Sequence, residues 1–147
     1  MIALSWDGEL MTGDVQLGRS GLVRDDGLTT AVLISLFTDR RAKADDPLPD
    51  GNDRRGWVGD AISPVDGDRI GSRLWLLRRE KQTEETRRRA EEYAREALAW
   101  LIEDGLAARV EVSAEWVARG VLGCLIVIHL AAGGVERLAV NIAAGAA

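Results

Sequence analysis

Val110-Glu-Val-Ser-Ala-Glu-Trp116, Val121-Leu-Gly-Cys-Leu-Ile-Val-Ile-His-Leu130 and Val135-Glu-Arg-Leu-Ala-Val-Asn-Ile142 follow one another closely. In the first run Val110, Val112, Ala114 and Trp116 alternate with Arg109, Glu111, Ser113 and Glu115. A period of two predicts a strand with one buried face. The second run is apolar on both faces, as a central strand is. The third alternates again, Leu138, Val140 and Ile142 against Arg137, Ala139 and Asn141. Arg119-Gly120 and Gly133-Gly134 supply the turns between them. Residues 143–147 read as a frayed tail.

Upstream the period changes. Ala90, Ala94, Ala97, Leu98 and Leu101 fall on one helical stripe within Glu84–Asp104, with Tyr93 and Trp100 on one flank and Ile102 on the other. Thr83 is the expected N-cap, and Gly105 suits the position after the last turn. Small alanines let such a helix approach a sheet closely. Glu84 and Arg88, Glu85 and Arg89, and Glu91 and Arg95 are acid-first pairs four residues apart. The expected fold is therefore α+β. A three-stranded antiparallel meander has the long helix packed across it, with shorter N-terminal helices and an extended N-terminal arm.

The first 27 residues alternate short apolar pieces with turn signals such as Asp7-Gly8 and Asp26-Gly27, and read as the arm with one short strand. A helix is expected over Thr29–Asp39, capped by Thr29 or Thr30, with Val32, Leu33, Leu36 and Phe37 inward and Arg40 and Arg41 at its C-terminal end. Residues 43–70 carry all three prolines and form a long loop, a feature usually functional or disordered in a small domain. Trp57 lies in it, flanked by glycines, and can plug a pocket on its own domain or on a partner. A short helix is expected at Ser72–Arg79, with Leu74, Leu77 and Trp75 inward and Arg73, Arg78 and Arg79 outward. The whole is one domain, 1–147, in which 1–27 is the arm, 43–70 the loop and 84–142 the helix-plus-sheet core.

Composition narrows the function. At 147 residues the chain can bury one real core. Its net charge of −5 argues against nucleic acid, because glutamates surround the Arg87-Arg88-Arg89 run. Its longest apolar stretch, 121–132, is shorter than the roughly 20 residues of a membrane span. The N-terminus lacks the basic start of a signal peptide, so a cytoplasmic site of synthesis without membrane attachment is expected. One cysteine allows no internal disulfide.

No catalytic or cofactor motif emerges. The phosphate loop and the dinucleotide fingerprint are missing, and a single His with a single Cys cannot build a common zinc site. Cys124 and His129 stand an odd number of residues apart on one strand, hence on opposite faces, which makes them a poor nucleophile and base. Asp66-Gly-Asp68 and Asp45-Asp46 resemble pieces of calcium loops, but the twelfth position counted from Asp66 is Leu77, not Glu. We therefore expect no catalytic, cofactor or metal site.

One feature points to binding. A three-stranded sheet has two edges with unpaired backbone groups. Val135–Ile142 carries only Glu136 and Arg137 to protect its edge, so a partner chain can add a strand there unless the arm covers it.

Four stretches carry a family likeness. They are Thr30-Ala-Val-Leu-Ile-Ser-Leu-Phe-Thr-Asp-Arg-Arg-Ala42, Asp53-Arg-Arg-Gly-Trp-Val-Gly-Asp60, Gly71-Ser-Arg-Leu-Trp-Leu-Leu-Arg-Arg79 and Tyr93-Ala-Arg-Glu-Ala-Leu-Ala-Trp-Leu-Ile-Glu-Asp-Gly105. Together they resemble the baseplate wedge proteins of Mu-like phages, within the sheath-initiator group of contractile tails, which carries a lysozyme-related superfamily label. The resemblance implies a structural protein of the virion tail baseplate, made in the bacterial host cytoplasm. It implies six copies around the central tube, with isolated parts often monomeric until assembled. The implied partners are the tail sheath protein, other baseplate wedge proteins and central hub or tube proteins, and the sheath would attach by exchanging strands. Partner-binding residues on this reading are Val135, Arg137, Leu138, Ala139, Val140, Asn141 and Ile142, with Trp57 in the loop. The group often carries a Glu-Pro-Arg signature where helix meets first strand. This chain has Glu103 and Arg109 there, widely spaced and without a proline. The alternatives are a peptidoglycan-cleaving lysozyme-like enzyme, which needs a carboxylate with a raised pKa in a sugar-sized cleft, and a small adaptor unrelated to phage.

Overall fold

The computed structural model describes residues 4–7, 12–15, 17–18, 21–22, 27–62 and 69–145, with the side chains of 4–22 and 58 left aside. Strands β5 (Ala107–Ala118), β6 (Val121–Leu130) and β7 (Val135–Ala143) form an antiparallel sheet in that order. Gly133 and Gly134 both take positive φ in the β6–β7 hairpin, which is why the sequence places glycines there. Register aligns Val112, Ile126 and Leu138, then Ala114, Cys124 and Val140, then Trp116, Leu122 and Ile142. These rows face the core. Leu122 and Ile126 are wholly buried, and burying such a side chain contributes about 1.5–3 kcal/mol. The opposite face is open, so β6 is buried on one side only.

Helix α2 (Glu84–Leu98) packs on this sheet along β5. Thr83 caps it, its hydroxyl accepting from the Thr86 N–H at 3.2 Å. Ala90, Ala94, Ala97 and Leu98 are fully buried, as the stripe predicts. The helix is not continuous to Asp104. It bends at Ala99 into the short α3 (Trp100–Glu103), which sends Leu101 into the core and leaves Ile102 half exposed. Gly105 turns the chain with φ 76°.

Helix α1 (Leu28–Phe37) buries Val32, Leu33 and Leu36. Neither Thr29 nor Thr30 caps it, because the helix starts one residue earlier, after Gly27 in the left-handed region (φ 92°). Arg40 and Arg41 lie beyond its last turn. The chain turns extended at Thr38 to form a parallel bridge between Asp39 and Ser72, with the Arg40 N–H donating to the Ser72 carbonyl at 2.9 Å.

The segment expected as a helix at 72–79 is a 3-10 turn, Leu74–Leu77, with all four side chains buried. Arg73 points inward, not outward, and is 5% exposed.

The N-terminal arm holds more strand than expected. β1 (Leu4–Asp7) pairs with β2 (Thr12–Val15), and β3 (Leu17–Gly18) with β4 (Gly21–Leu22). Neither pair joins the main sheet. The end of the chain is not frayed as far as it is described. Ala144 is buried, its N–H donates to Gly120 O at 3.0 Å, and the Gly145 N–H donates to Leu77 O at 3.2 Å.

Candidate functional site

The two edges of the sheet are treated differently. On β5, backbone groups of Val112 and Ala114 point away from β6, and α2 reaches them with side chains. Glu91 accepts the Ala114 N–H at 2.9 Å, Arg87 donates to the Ala114 carbonyl at 3.1 Å, and Arg95 donates to the Val112 carbonyl at 3.0 Å. Arg87, Glu91 and Arg95 stand four residues apart on one flank and pair with each other, Arg95 with Glu91 at 3.4 Å. Hydrogen bonds that Arg87 donates to Glu84, with the charges of Glu91 and Glu84, outweigh desolvation and hold its guanidinium firmly protonated. An edge occupied in its middle by side chains of α2 is a poor template for another strand.

No strand pairs with the outer edge of β7 among the described residues. The Leu130 N–H donates to Gly134 O at 3.0 Å, and Ala144 to Gly120 O at 3.0 Å. Hydrogen-bonded pairs alternate in an antiparallel ladder, so Glu136, Leu138, Val140 and Ile142 bond to β6. The backbone groups of Val135, Arg137, Ala139 and Asn141 are directed outward. The predicted edge residues thus divide in two. Leu138, Val140 and Ile142 build the core face, and Val135, Arg137, Ala139 and Asn141 present the edge.

The other predicted residues lie elsewhere. Trp57 is 53% exposed and packs on Gly59, where a Cβ would come within 2.1 Å of its ring. It rims a cleft of about 370 Å³ with Ile34, Ile70, Trp100, Asp60 and Asp104. Glu103 is exposed at the end of α3, and among the described residues no ion pair joins it to Arg109. Arg109 instead lies 3.4 Å from Glu111 and 3.1 Å from His129 Nε2. His129 is also 3.0 Å from Glu111 Oε2. Its hydrogen bond, then the Arg109 charge, hold the Glu111 carboxyl below the ordinary range.

Sequence reasoning missed one cluster. The Arg73 Nε donates to Glu96 at 2.8 Å and its terminal nitrogen to Asp46 at 2.9 and 3.1 Å, while the guanidinium lies 4.3 Å from the Tyr93 ring centroid. Burial works to raise the Glu96 carboxyl, but Arg73, Lys43 and Arg40 together bring it below its usual value. This knot ties the start of the 43–70 loop to α2. Of the acid-first pairs, Glu84–Arg88 (3.8 Å) and Glu91–Arg95 form, whereas Arg89 turns to Glu80 at 3.2 Å and to the Tyr93 hydroxyl.

Cys124 is buried in the sheet, and desolvation, then Glu91, push its thiol up to about 12. Among the described residues no three His, Cys, Asp or Glu gather as metal ligands, and no helix is long and apolar enough to cross a membrane. Asp66 and Asp68 lie outside the described residues.

Comparison with known proteins bears on what such an edge is for. The family model described as phage protein GP46 matches residues 28–135. The chain belongs to the phage protein GP46 family. It is 50% identical over 125 residues to baseplate protein gp46 of Escherichia phage Mu, covering 84% of this chain and 83% of that one. It is 42% identical over 137 residues to the Mu-like prophage FluMu protein gp46 of Haemophilus influenzae, covering 92% and 91%. A GP46-family chain with this likeness to the Mu protein is a structural protein of a Mu-like tail baseplate. The matched span includes α1, the Arg73 cluster, α2, β5 and β6, and reaches the first residue of β7.

Proposed function

We propose that this baseplate protein nucleates the sheath of a contractile tail by β-strand exchange at β7, and that it is not an enzyme. The observation that carries the reading is the asymmetry of the sheet: Arg87, Glu91 and Arg95 of α2 occupy the β5 edge at Val112 and Ala114, and among the described residues no strand pairs with the outer edge of β7. A strand added there gains main-chain hydrogen bonds and continues the sheet. The tail sheath protein donates the strand. Other wedge proteins and the central hub or tube proteins contact the remaining surfaces, with six copies in the assembled ring. Trp57, Glu103 and Arg109 are exposed and suit such lateral contacts. Residues 1–147 act as one domain, with the 43–70 loop pinned to the core by Arg73.

The peptidoglycan-cleaving alternative needs an acid held protonated. Glu84, Glu96 and Glu111 are all shifted the other way, by arginines or by His129.

The test is co-purification with the cognate sheath protein. Ala139→Pro is the informative variant, because its N–H is directed outward and its loss spares the β6–β7 ladder. Val140→Pro would break that ladder instead. Wild type should capture sheath, and Ala139→Pro, with an unchanged circular dichroism spectrum, should not. Equal capture by both, or capture by neither, overturns the strand-exchange reading. Release of soluble muropeptides from purified cell walls would support the enzyme instead.

A further inference from the structure

Register arranges the outer-face side chains in rows across the sheet: Glu111, Val127 and Arg137; Ser113, Leu125 and Ala139; Glu115, Gly123 and Asn141. In the middle row the edge position holds only a methyl group. Behind it Leu125 is 43% exposed, a large apolar side chain only partly covered. The result is a notch at Ala139, between the longer Arg137 and Asn141. In the row beside it Arg137 is exposed and forms no ion pair among the described residues. Both Arg137 and Ala139 direct their backbone groups outward. A guest residue opposite either one would therefore be a direct cross-strand neighbour, at about 4.5–5.5 Å between Cβ atoms.

We infer that the strand received by β7 carries an acidic residue opposite Arg137 and, two residues along, a large apolar residue opposite Ala139. The large side chain reaches over the Ala139 methyl and covers Leu125. The guest residue between them turns to the inner face beside Leu138 and Val140, which are apolar, and is apolar too. The guest, pairing antiparallel, is thus an extended peptide that reads from its N-terminus large apolar, apolar, acid. This inference rests on the strand-exchange reading above and adds the guest's side-chain chemistry to it. Main-chain pairing alone accepts almost any strand. The notch and the unpaired cation are what discriminate, because like charges directly opposite are destabilising and a small residue at the notch leaves Leu125 wet.

The experiment titrates purified cognate sheath protein against immobilised wild type, Arg137→Gln, Arg137→Glu, Ala139→Ile and Ala139→Pro, at low salt and at about 0.5 M salt, where surface charge is largely screened. Circular dichroism and thermal melts establish that each variant is folded. Isoleucine suits a strand better than alanine, so Ala139→Ile harms nothing but the notch. Arg137→Gln should weaken capture about two- to fivefold and Arg137→Glu about five- to twentyfold, both differences fading at high salt. Ala139→Ile should weaken it about three- to tenfold at either salt. If Ala139→Pro abolishes capture while Arg137→Glu and Ala139→Ile bind like wild type, the guest chemistry is refuted and strand exchange stands. Tighter capture by Arg137→Glu would assign a basic guest and also overturn the inference. If Ala139→Pro binds like wild type, both fall together.

Discussion

Replacing Arg73 by methionine removes the cation between two carboxylates while keeping the apolar stem. The side chain is 6% exposed, Asp46 10% and Glu96 25%. Breaking a fully buried pair by deleting one partner costs about 3–5 kcal/mol, since the remaining charge is left without compensation. Here the loss is softened. Glu96 keeps Lys43 at 3.4 Å and Arg40 at 3.8 Å, and Asp46 keeps the Lys43 N–H at 2.8 Å. The stacking on Tyr93 is lost as well, though methionine partly replaces it. We expect a loss of about 2–4 kcal/mol at pH 7, read as a shift in urea midpoint at constant m-value. The pH dependence sharpens the test. In wild type the folded Glu96 carboxyl lies below its unfolded value, so its contribution is present above the unfolded pKa and is lost as pH falls through the folded one. In the variant that carboxyl is buried without Arg73, its pKa rises, and charge on it opposes folding. The deficit should therefore be greatest near neutrality and shrink below about pH 4. A deficit under about 1 kcal/mol, or one that does not change with pH, would refute the reasoning and make the cluster an ordinary surface pair.

Leu98→Ala should cost about 2–5 kcal/mol in the same denaturation assay, because Leu98 is wholly enclosed where α2 meets the core; a smaller loss would mean that the helix repacks. Glu91→Ala frees the Ala114 N–H on the β5 edge, so a folded variant should self-associate more than wild type by sedimentation, and a strictly unchanged profile would count against α2 as an edge cover. Cys124 should resist iodoacetamide at pH 8 in the folded protein and react on addition of urea, since burial holds its thiol up to about 12; rapid labelling of folded protein would contradict that burial.

Legibility followed the range of the interactions. The three strands were plain in Val110–Ile142 because alternation is local, and the hairpin glycines marked its turns. The α2 cap at Thr83 and the alanine stripe were equally local. The bend at Ala99 was not legible, because Ala-Trp-Leu-Ile carries the helical pattern straight through it. Arg73 was misplaced for a different reason. Charge predicts exposure, and the carboxylates that reverse that preference sit 27 residues before it and 23 after it in sequence. The weak charge on β7 made its edge visible in advance. Which of its residues present the edge depends on the ladder alternation, and the closing of β5 depends on Arg87, Glu91 and Arg95 meeting a strand more than fifteen residues away.

The way β7 ends has a mechanical consequence. One end is held by the Gly133-Gly134 hairpin, and beyond the other the chain is fastened at Ala144 to Gly120 and at Gly145 to Leu77. A strand anchored at both ends does not peel from β6 when its free side is pulled. Tension on a guest lying alongside β7 would run parallel to the ladder and load its hydrogen bonds together in shear, not one after another as in unzipping. The tether at Leu77 carries that tension on into the buried 3-10 turn and the core behind it. A small protein built this way can hold a partner under load without first coming apart at its own last strand.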